Sequence, residues 1–306
     1  MSRRADSHST GSKGTAPARI VTFGDVIEDI VVVPGGPVRT DTDTISTIRP
    51  TAGGSAANTA AWLGHLGVGV DFVGRVGTDD IERHGRILTD AGVTPHLSAD
   101  PELPTGRIVI VVDGNTRTMY TDKGANVNFS PDDVTDALLA GAAVVHVGGY
   151  SVMNDPEAVR NLIARARTAG TIVSVDPSSS GFLTDFGIDR FFEVVAGASI
   201  LMPNLDEGRV LTGFRAPNDV ATALAERFDT VVLTLGEEGS LIATPGATPV
   251  TVAAVPSALV DPTGAGDSFS AGFLAEWTRS GDPVVAARAG AEVAARAVAQ
   301  IGARPV

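Results

Sequence analysis

The segment Asp261-Pro262-Thr263-Gly264-Ala265-Gly266-Asp267-Ser268-Phe269 joins an apolar stretch to a long Ala-rich helical pattern. The first turn of a helix leaves its backbone N–H groups without internal acceptors. Thr263, Gly264 and Gly266 let those groups turn inward, and the helix dipole adds positive potential. Successive amides of this kind form an anion nest, suited to the charge that develops on a transferring phosphoryl group. Asp267 stands beside the nest, where a carboxylate can take the proton of an attacking hydroxyl. Taken alone, the same residues read more readily as a tight helix entry with Asp267 as its cap.

A second group lies roughly 200 residues upstream. Gly53-Gly54-Ser55-Ala56-Ala57-Asn58 opens another helical pattern. Paired glycines allow a ligand to come close to the backbone, and the Asn58 amide both donates to and accepts from a polyol. A bare turn and a helix-start cap are the plainer explanations. Asp25 and Asp29 follow the first apolar run, as ligand groups or as solvated strand-end charge. Asn204-Leu205-Asp206-Glu207 has the spacing of a helix cap with a following acid. Thr234-Leu235-Gly236-Glu237-Glu238-Gly239 and Asp176-Pro177 each follow a predicted strand.

These residues need elements to hold them. Ile20 to Gly24 with Ile30 to Val33 predicts a strand bent at Gly24, and Thr44 to Ile48 a short strand. Helices are expected over Ser55–Leu66, Asp79–Ala91, Pro156–Thr168, Asp206–Leu211, Val220–Arg227, Gly264–Arg279 and Pro283–Gln300. Strands are expected over Val70–Val76, Val144–Val147, Ile172–Val175, Ile200–Met202, Val231–Leu235, Leu241–Ala243 and Val250–Val252. Arg107–Val112 and Arg117–Thr121 flank Asp113-Gly114-Asn115, a hairpin signal. Strands that alternate with helices imply a mostly parallel sheet covered on both faces. Ligands bind such sheets beyond the carboxyl ends of the strands, which is where the singled-out loops fall.

Asp261 to Asp267 resembles the C-terminal signature of the ribokinase-like (PfkB) carbohydrate kinases. Gly53 to Ala60, with Leu63-Gly64-His65-Leu66-Gly67 and Val73 to Asp80, resembles their N-terminal signature. The resemblance spans about residues 19–304. It implies a three-layer α/β/α domain over 19–306, with a mostly parallel sheet and a small β-sheet lid from about residues 30–52 and 104–123. It implies transfer of the γ-phosphoryl of MgATP to a primary hydroxyl of a small sugar, ribose- or ketohexose-like. Asp267 becomes the base, and Gly264, Ala265 and Gly266 the anion hole. Asp29, Gly53, Gly54 and Asn58 would grip the acceptor, with Asp25 as a further candidate. Asn204, Glu207, Thr234, Gly236, Gly239 and Thr263 would face the nucleotide. Glu207 would organise Mg2+ through water, and Asp261 would help hold K+. Lid pairing into a homodimer is a further implication. Ile27 and Ser55 depart from the ribokinase pattern, whereas Gly124-Ala125-Asn126 follows it. A nucleoside such as adenosine is the alternative acceptor. A non-catalytic sugar-binding regulatory protein is the alternative of another class.

Composition narrows the classes. The net charge is −13, which disfavours nucleic-acid binding through phosphate neutralisation. No cysteine is present, so disulfides, thiolate zinc sites and cysteine nucleophiles are excluded. No apolar run approaches the ~18 residues of a membrane span. Residues 1–18 have no apolar signal region and read as a disordered leader, and a cytoplasmic location is expected. Asp185-Phe186-Gly187 spells a protein-kinase motif without its partners and reads as chance. His65, His84, His96 and His146 lack ligand spacing and read as packing or surface residues.

Overall fold

The computed structural model describes residues 18–113 and 116–305. The expected leader therefore lies outside the described residues except for Ala18, as do Gly114 and Asn115 of the predicted hairpin turn. Thirteen strands fall into two sheets among the described residues. They are β1 (Arg19–Gly24), β2 (Ile27–Pro34), β3 (Ser46–Gly53), β4 (Gly69–Gly77), β5 (Thr94–Asp100), β6 (Gly106–Asp113) and β7 (Thr116–Asp122). They continue with β8 (Val144–Gly148), β9 (Ile172–Asp176), β10 (Ile200–Leu201), β11 (Thr230–Thr234), β12 (Ser240–Ala243) and β13 (Val250–Val252).

The large sheet has the order β13-β12-β11-β10-β9-β8-β1-β4-β5. It is parallel from β5 to β11, and β12 and β13 join antiparallel at one edge. Its central strands are Val- and Ile-rich because both faces are covered. Within β1, Val21 and Phe23 enter one core with Val145, Leu162 and Phe191. Ile20 enters the other, with Trp62, Phe72, Phe273 and Leu274. Adjacent residues of one strand facing separate cores give the three layers.

Four helices position the chemistry: α1 (Ser55–His65), α2 (Leu205–Thr212), α3 (Ala265–Ser280) and α4 (Pro283–Ala297). After β1 the large sheet grows towards β4 and β5, and from β8 it grows the other way. The carboxyl ends of β1 and β8 therefore flank a switch point, where α/β sheets open a crevice.

The small sheet has the order β3-β2-β6-β7. Its β2–β6 pair is parallel and its other pairs antiparallel. Its strands β2 and β6 follow directly in the chain from β1 and β5. Val33, Ile48, Met119 and Tyr120 are exposed on it.

Several expectations change. The bent strand through Gly24 is two strands in different sheets. The chain leaves β1 because Asn126 grips Val26, with its Oδ1 accepting from Val26 N and its Nδ2 donating to Val26 O. Strand β3 runs on to Gly53 rather than ending at Ile48. Strand β5 was not expected, because Pro95, His96 and Ser98 break any apolar alternation; it lies on the sheet edge, where Pro is tolerated. Helix α4 ends at Ala297 rather than Gln300, since the Val298 carbonyl accepts from the amides of Val260 and Asp261. Two unanticipated short helices, Ser180–Phe186 and Ile188–Val194, meet at Gly187. Asp185-Phe186-Gly187 is the end of the first of them.

Candidate active site

Gly264 is the N-cap of α3 at φ 76°. A Cβ there would lie 2.7 Å from the Ala303 carbonyl oxygen, so both backbone conformation and space require glycine. Ala265 N donates to Pro262 O at 3.3 Å, the first-turn amides of Gly266 and Asp267 lack intrahelical acceptors, and the space beside the Gly266 Cα is open. Gly266 and Asp267 line a cavity of about 120 Å3 with Ser55, Asp176, Asn204, Glu207 and Thr234. Of the residues expected to form the anion nest or face the nucleotide, Gly266, Asn204, Glu207 and Thr234 share this cavity, whereas Thr263, Gly264 and Ala265 do not line it. Gly236 and Gly239 shape the turn just after Thr234 and do not line it.

The Asp267 carboxylate is held from α1. Ser55 Oγ donates to its Oδ1 at 2.7 Å, and Asn58 Nδ2 donates to its Oδ2 at 2.9 Å. Burial pushes this carboxyl up to about 7, and Asp176 and Asp25 push the same way against the two hydrogen bonds. A carboxylate poised near neutrality suits a general base.

Asp29 and Gly53 lie together on the small-sheet side. A Cβ at Gly53 would overlap the Asp29 carboxylate, so the glycine makes room for the acid. Burial pushes Asp29 up to about 6, with Arg304 opposing and Asp25 and Asp261 adding to the rise. Gly54 is the N-cap of α1 at φ 95°. The Asp25 carboxylate accepts from Ser55 N and Ala56 N at the start of α1.

Asn204 and Glu207 form a reciprocal capping box on α2. Glu207 accepts from Asn204 N and Nδ2 at 2.9 and 2.7 Å. Burial holds the Glu207 and Asp176 carboxyls above their ordinary range, and Glu207 itself pushes Asp176 further up. Buried Glu207 and half-buried Asp176 face one cavity, and their carboxylate oxygens fit a hard divalent ion.

Asp261 is already heavily engaged. Its Oδ1 accepts from Thr263 N and Thr263 Oγ1, its Oδ2 accepts from Gly302 N, and Arg117 Nη1 lies 3.7 Å from Oδ1. Arg117 comes from β7 of the small sheet and also donates to Thr263 Oγ1. A protein cation thus stands beside the carboxylate expected to hold K+, and Oδ1 is the more fully engaged of its two oxygens.

The histidines stay outside this chemistry. His84 and His146 are buried and pushed down to about 4 by burial. His96 meets Asp71 at 2.7 Å and His65 packs edge-on to Trp62.

A sequence profile of the pfkB family carbohydrate kinases matches residues 17–306. The chain belongs to the PfkB family of carbohydrate kinases. This kinase is 28% identical over 290 residues to a 2-dehydro-3-deoxygluconokinase of Thermoproteus tenax, covering 89% of this chain and 87% of that protein. It is 28% identical to adenosine kinase of Saccharomyces cerevisiae over 250 residues, 76% of this chain and 73% of the other. Among solved structures it resembles adenosine kinase from Sinorhizobium meliloti, with a TM-score of 0.82, 27% identity and coverage of 95% and 97%. An Escherichia coli protein described as a ribokinase II, solved with ATP and Mg2+, has a TM-score of 0.83 at 23% identity, covering 94% of each chain; that likeness concerns the fold. The regulatory, non-catalytic alternative gives way: the chain is a sugar or nucleoside kinase.

Four site residues were not anticipated in these roles. Ser55 stood out only as a departure from the ribokinase pattern, yet it donates to Asp267. Asp176-Pro177 was read as shaping the phosphate end or as a plain turn, and not as a metal ligand. Arg117 and Arg304 carried no signal, because a lone arginine on a hairpin or near a chain end looks like solvated charge.

Proposed function

We propose that this kinase moves the γ-phosphoryl of MgATP to a primary hydroxyl of a small sugar, ribose- or ketohexose-like, with Asp267 as the base. The observation that carries the reading is the position of Asp267, a half-buried carboxylate at the rim of the α3 amide nest and hydrogen-bonded to α1, the helix that follows the Gly53-Gly54 pair. In this reading Asp29, the Gly53 backbone and Asn58 hold the acceptor. The acceptor's hydroxyl proton passes to an Asp267 oxygen as that hydroxyl oxygen attacks phosphorus. ADP leaves, and the amides of Gly264, Ala265 and Gly266 hold the phosphoryl charge.

Asn204 and Thr234 are the proposed nucleotide side of the cavity, with Gly236, Gly239 and Thr263 outside its lining as further candidates to face the nucleotide. Glu207 and Asp176 would hold Mg2+, partly through water, and that ion supplies charge neutralisation on the phosphates. The small sheet would exclude water from the transfer, and its exposed Val33, Ile48, Met119 and Tyr120 are the surface on which two lids would pair.

Acceptor choice favours a sugar, because polar groups and backbone line the Asp29–Asn58 side. Tyr120, 62% exposed on β7, is the observation that supports a nucleoside acceptor, since an aromatic lid residue can stack on a base. ATP consumption against a panel of sugars and nucleosides, with Mg2+ and with or without K+, tests both. Turnover on a sugar supports the first reading, and turnover on nucleosides alone replaces it with the second. Absence of turnover on every acceptor contradicts both.

A further inference from the structure

The segment after α4 ties the two halves of the site together. Val298 O accepts from Val260 N and Asp261 N. Gly302 N donates to Asp261 Oδ2 at 3.0 Å, and Ala303 O accepts from Trp62 Nε1 at 2.9 Å. Arg304 then reaches α1 and β3: its Nε donates to Asn58 Oδ1 at 3.1 Å and its Nη2 to Gly53 O at 2.7 Å. Its Nη1 is buried with no partner among the described residues. A buried N–H left unmatched costs stability, so hydrogen bonding of Arg304 itself does not explain the placement.

The chemistry of the two side chains does explain it. A guanidinium has only donors and stays charged, even though burial pushes Arg304 down to about 10. An Asn amide can present either its oxygen or its nitrogen to a neighbour. Opposite Arg304 Nε only the oxygen fits, so the Asn58 nitrogen must face Asp267. The Ser55 hydroxyl both donates and accepts, and therefore imposes no direction.

We propose that Arg304 is a positioning residue for the base: it locks the Asn58 amide in the orientation whose N–H donates to Asp267, and so favours the ionised carboxylate. In the flipped amide, Asn58 Oδ1 would accept from protonated Asp267 and hold the base in its inactive state. The surrounding groups do not do this work. Asp25 after β1, Asp29 on β2, Asp176 at the end of β9 and Glu207 on α2 are all acids, and Tyr150 after β8 is pushed up to about 12 and stays neutral. This inference rests on the reading of Asp267 as the base.

The test compares Arg304→Met, which removes the donors, with Arg304→Lys, which keeps a donor-only head. With acceptor saturating, the acid limb of the kcat profile is expected to move up by about one pH unit in Arg304→Met, a loss of about tenfold at pH 6. Arg304→Lys should restore most of this shift, and the KM for MgATP should stay within about twofold in both. A uniform fall in kcat with the limb unmoved, or a Lys variant no better than Met, overturns the proposal. Should the Met variant not fold, Arg304→Gln is measured with the same two outcomes. Wild-type protein that turns over no sugar or nucleoside contradicts the functional reading instead. The Asp267 carboxyl is then titrated by 13C NMR on aspartate-labelled protein, assigned with Asp267→Asn. An upward shift in the Arg304 variant supports the locking, and an unchanged titration overturns it.

Discussion

Ser55 and Asp267 are 212 residues apart in the chain and meet through a 2.7 Å hydrogen bond. This contact joins the start of α1 to the first turn of α3. It accounts for a serine at the position where the ribokinase pattern is broken. Hydrogen bonds to charged groups contribute about 1.5–3 kcal/mol, so Ser55→Ala should lower kcat roughly tenfold or more. The KM for MgATP should stay within about twofold, as steady-state kinetics would show.

Turnover should follow the ionisation of Asp267. Its carboxyl, held at about 7 in the folded protein, is active as the base only when deprotonated. The kcat should therefore rise with pH through about 7 and level off above it. A profile flat from pH 5.5 to 8 would place the kinetically important proton elsewhere.

Gly53 makes room for the Asp29 carboxylate. In Gly53→Ala the new methyl must displace that acid from the proposed acceptor side. The expected result is an acceptor KM raised about tenfold or more, with nucleotide affinity unchanged, read by isothermal titration with ADP alongside acceptor kinetics.

Stability should depend on pH in the direction opposite to common acid denaturation. Asp29 and Asp267 have folded-state values raised to about 6 and 7, and Asp176 and Glu207 are raised as well. The folded state then binds more protons than the unfolded one, so these groups stabilise most below their unfolded values and lose that contribution as pH rises through the folded ones. Without ligands, Tm should fall between about pH 5 and 8. Added Mg2+ should reduce the fall by neutralising Asp176 and Glu207, as scanning calorimetry at several pH values would show.

Much of this architecture was legible before any coordinates. Val- and Ile-rich runs alternating with helical patterns gave the layered sheet, because burial on both faces leaves strands almost uniformly apolar. The nest at Gly264 to Gly266 was legible because few residue types permit that turn. Long-range pairing was not. Nothing local marks that Arg304 reaches Asn58, that Arg117 crosses from the lid to Thr263, or that Asp25 spends its carboxylate on the amides of α1. Strand β5 was hidden because an edge strand needs no alternating pattern.

The most direct measurement is phosphoryl transfer by Asp267→Asn beside wild type, on whichever acceptor the panel identifies, with ADP and acceptor binding measured on the same preparations. Asn at this position keeps the shape and loses the basic oxygen. The account predicts a fall in kcat of about 10³-fold with both affinities within about threefold. Turnover within tenfold of wild type would contradict the assignment of Asp267 as the base.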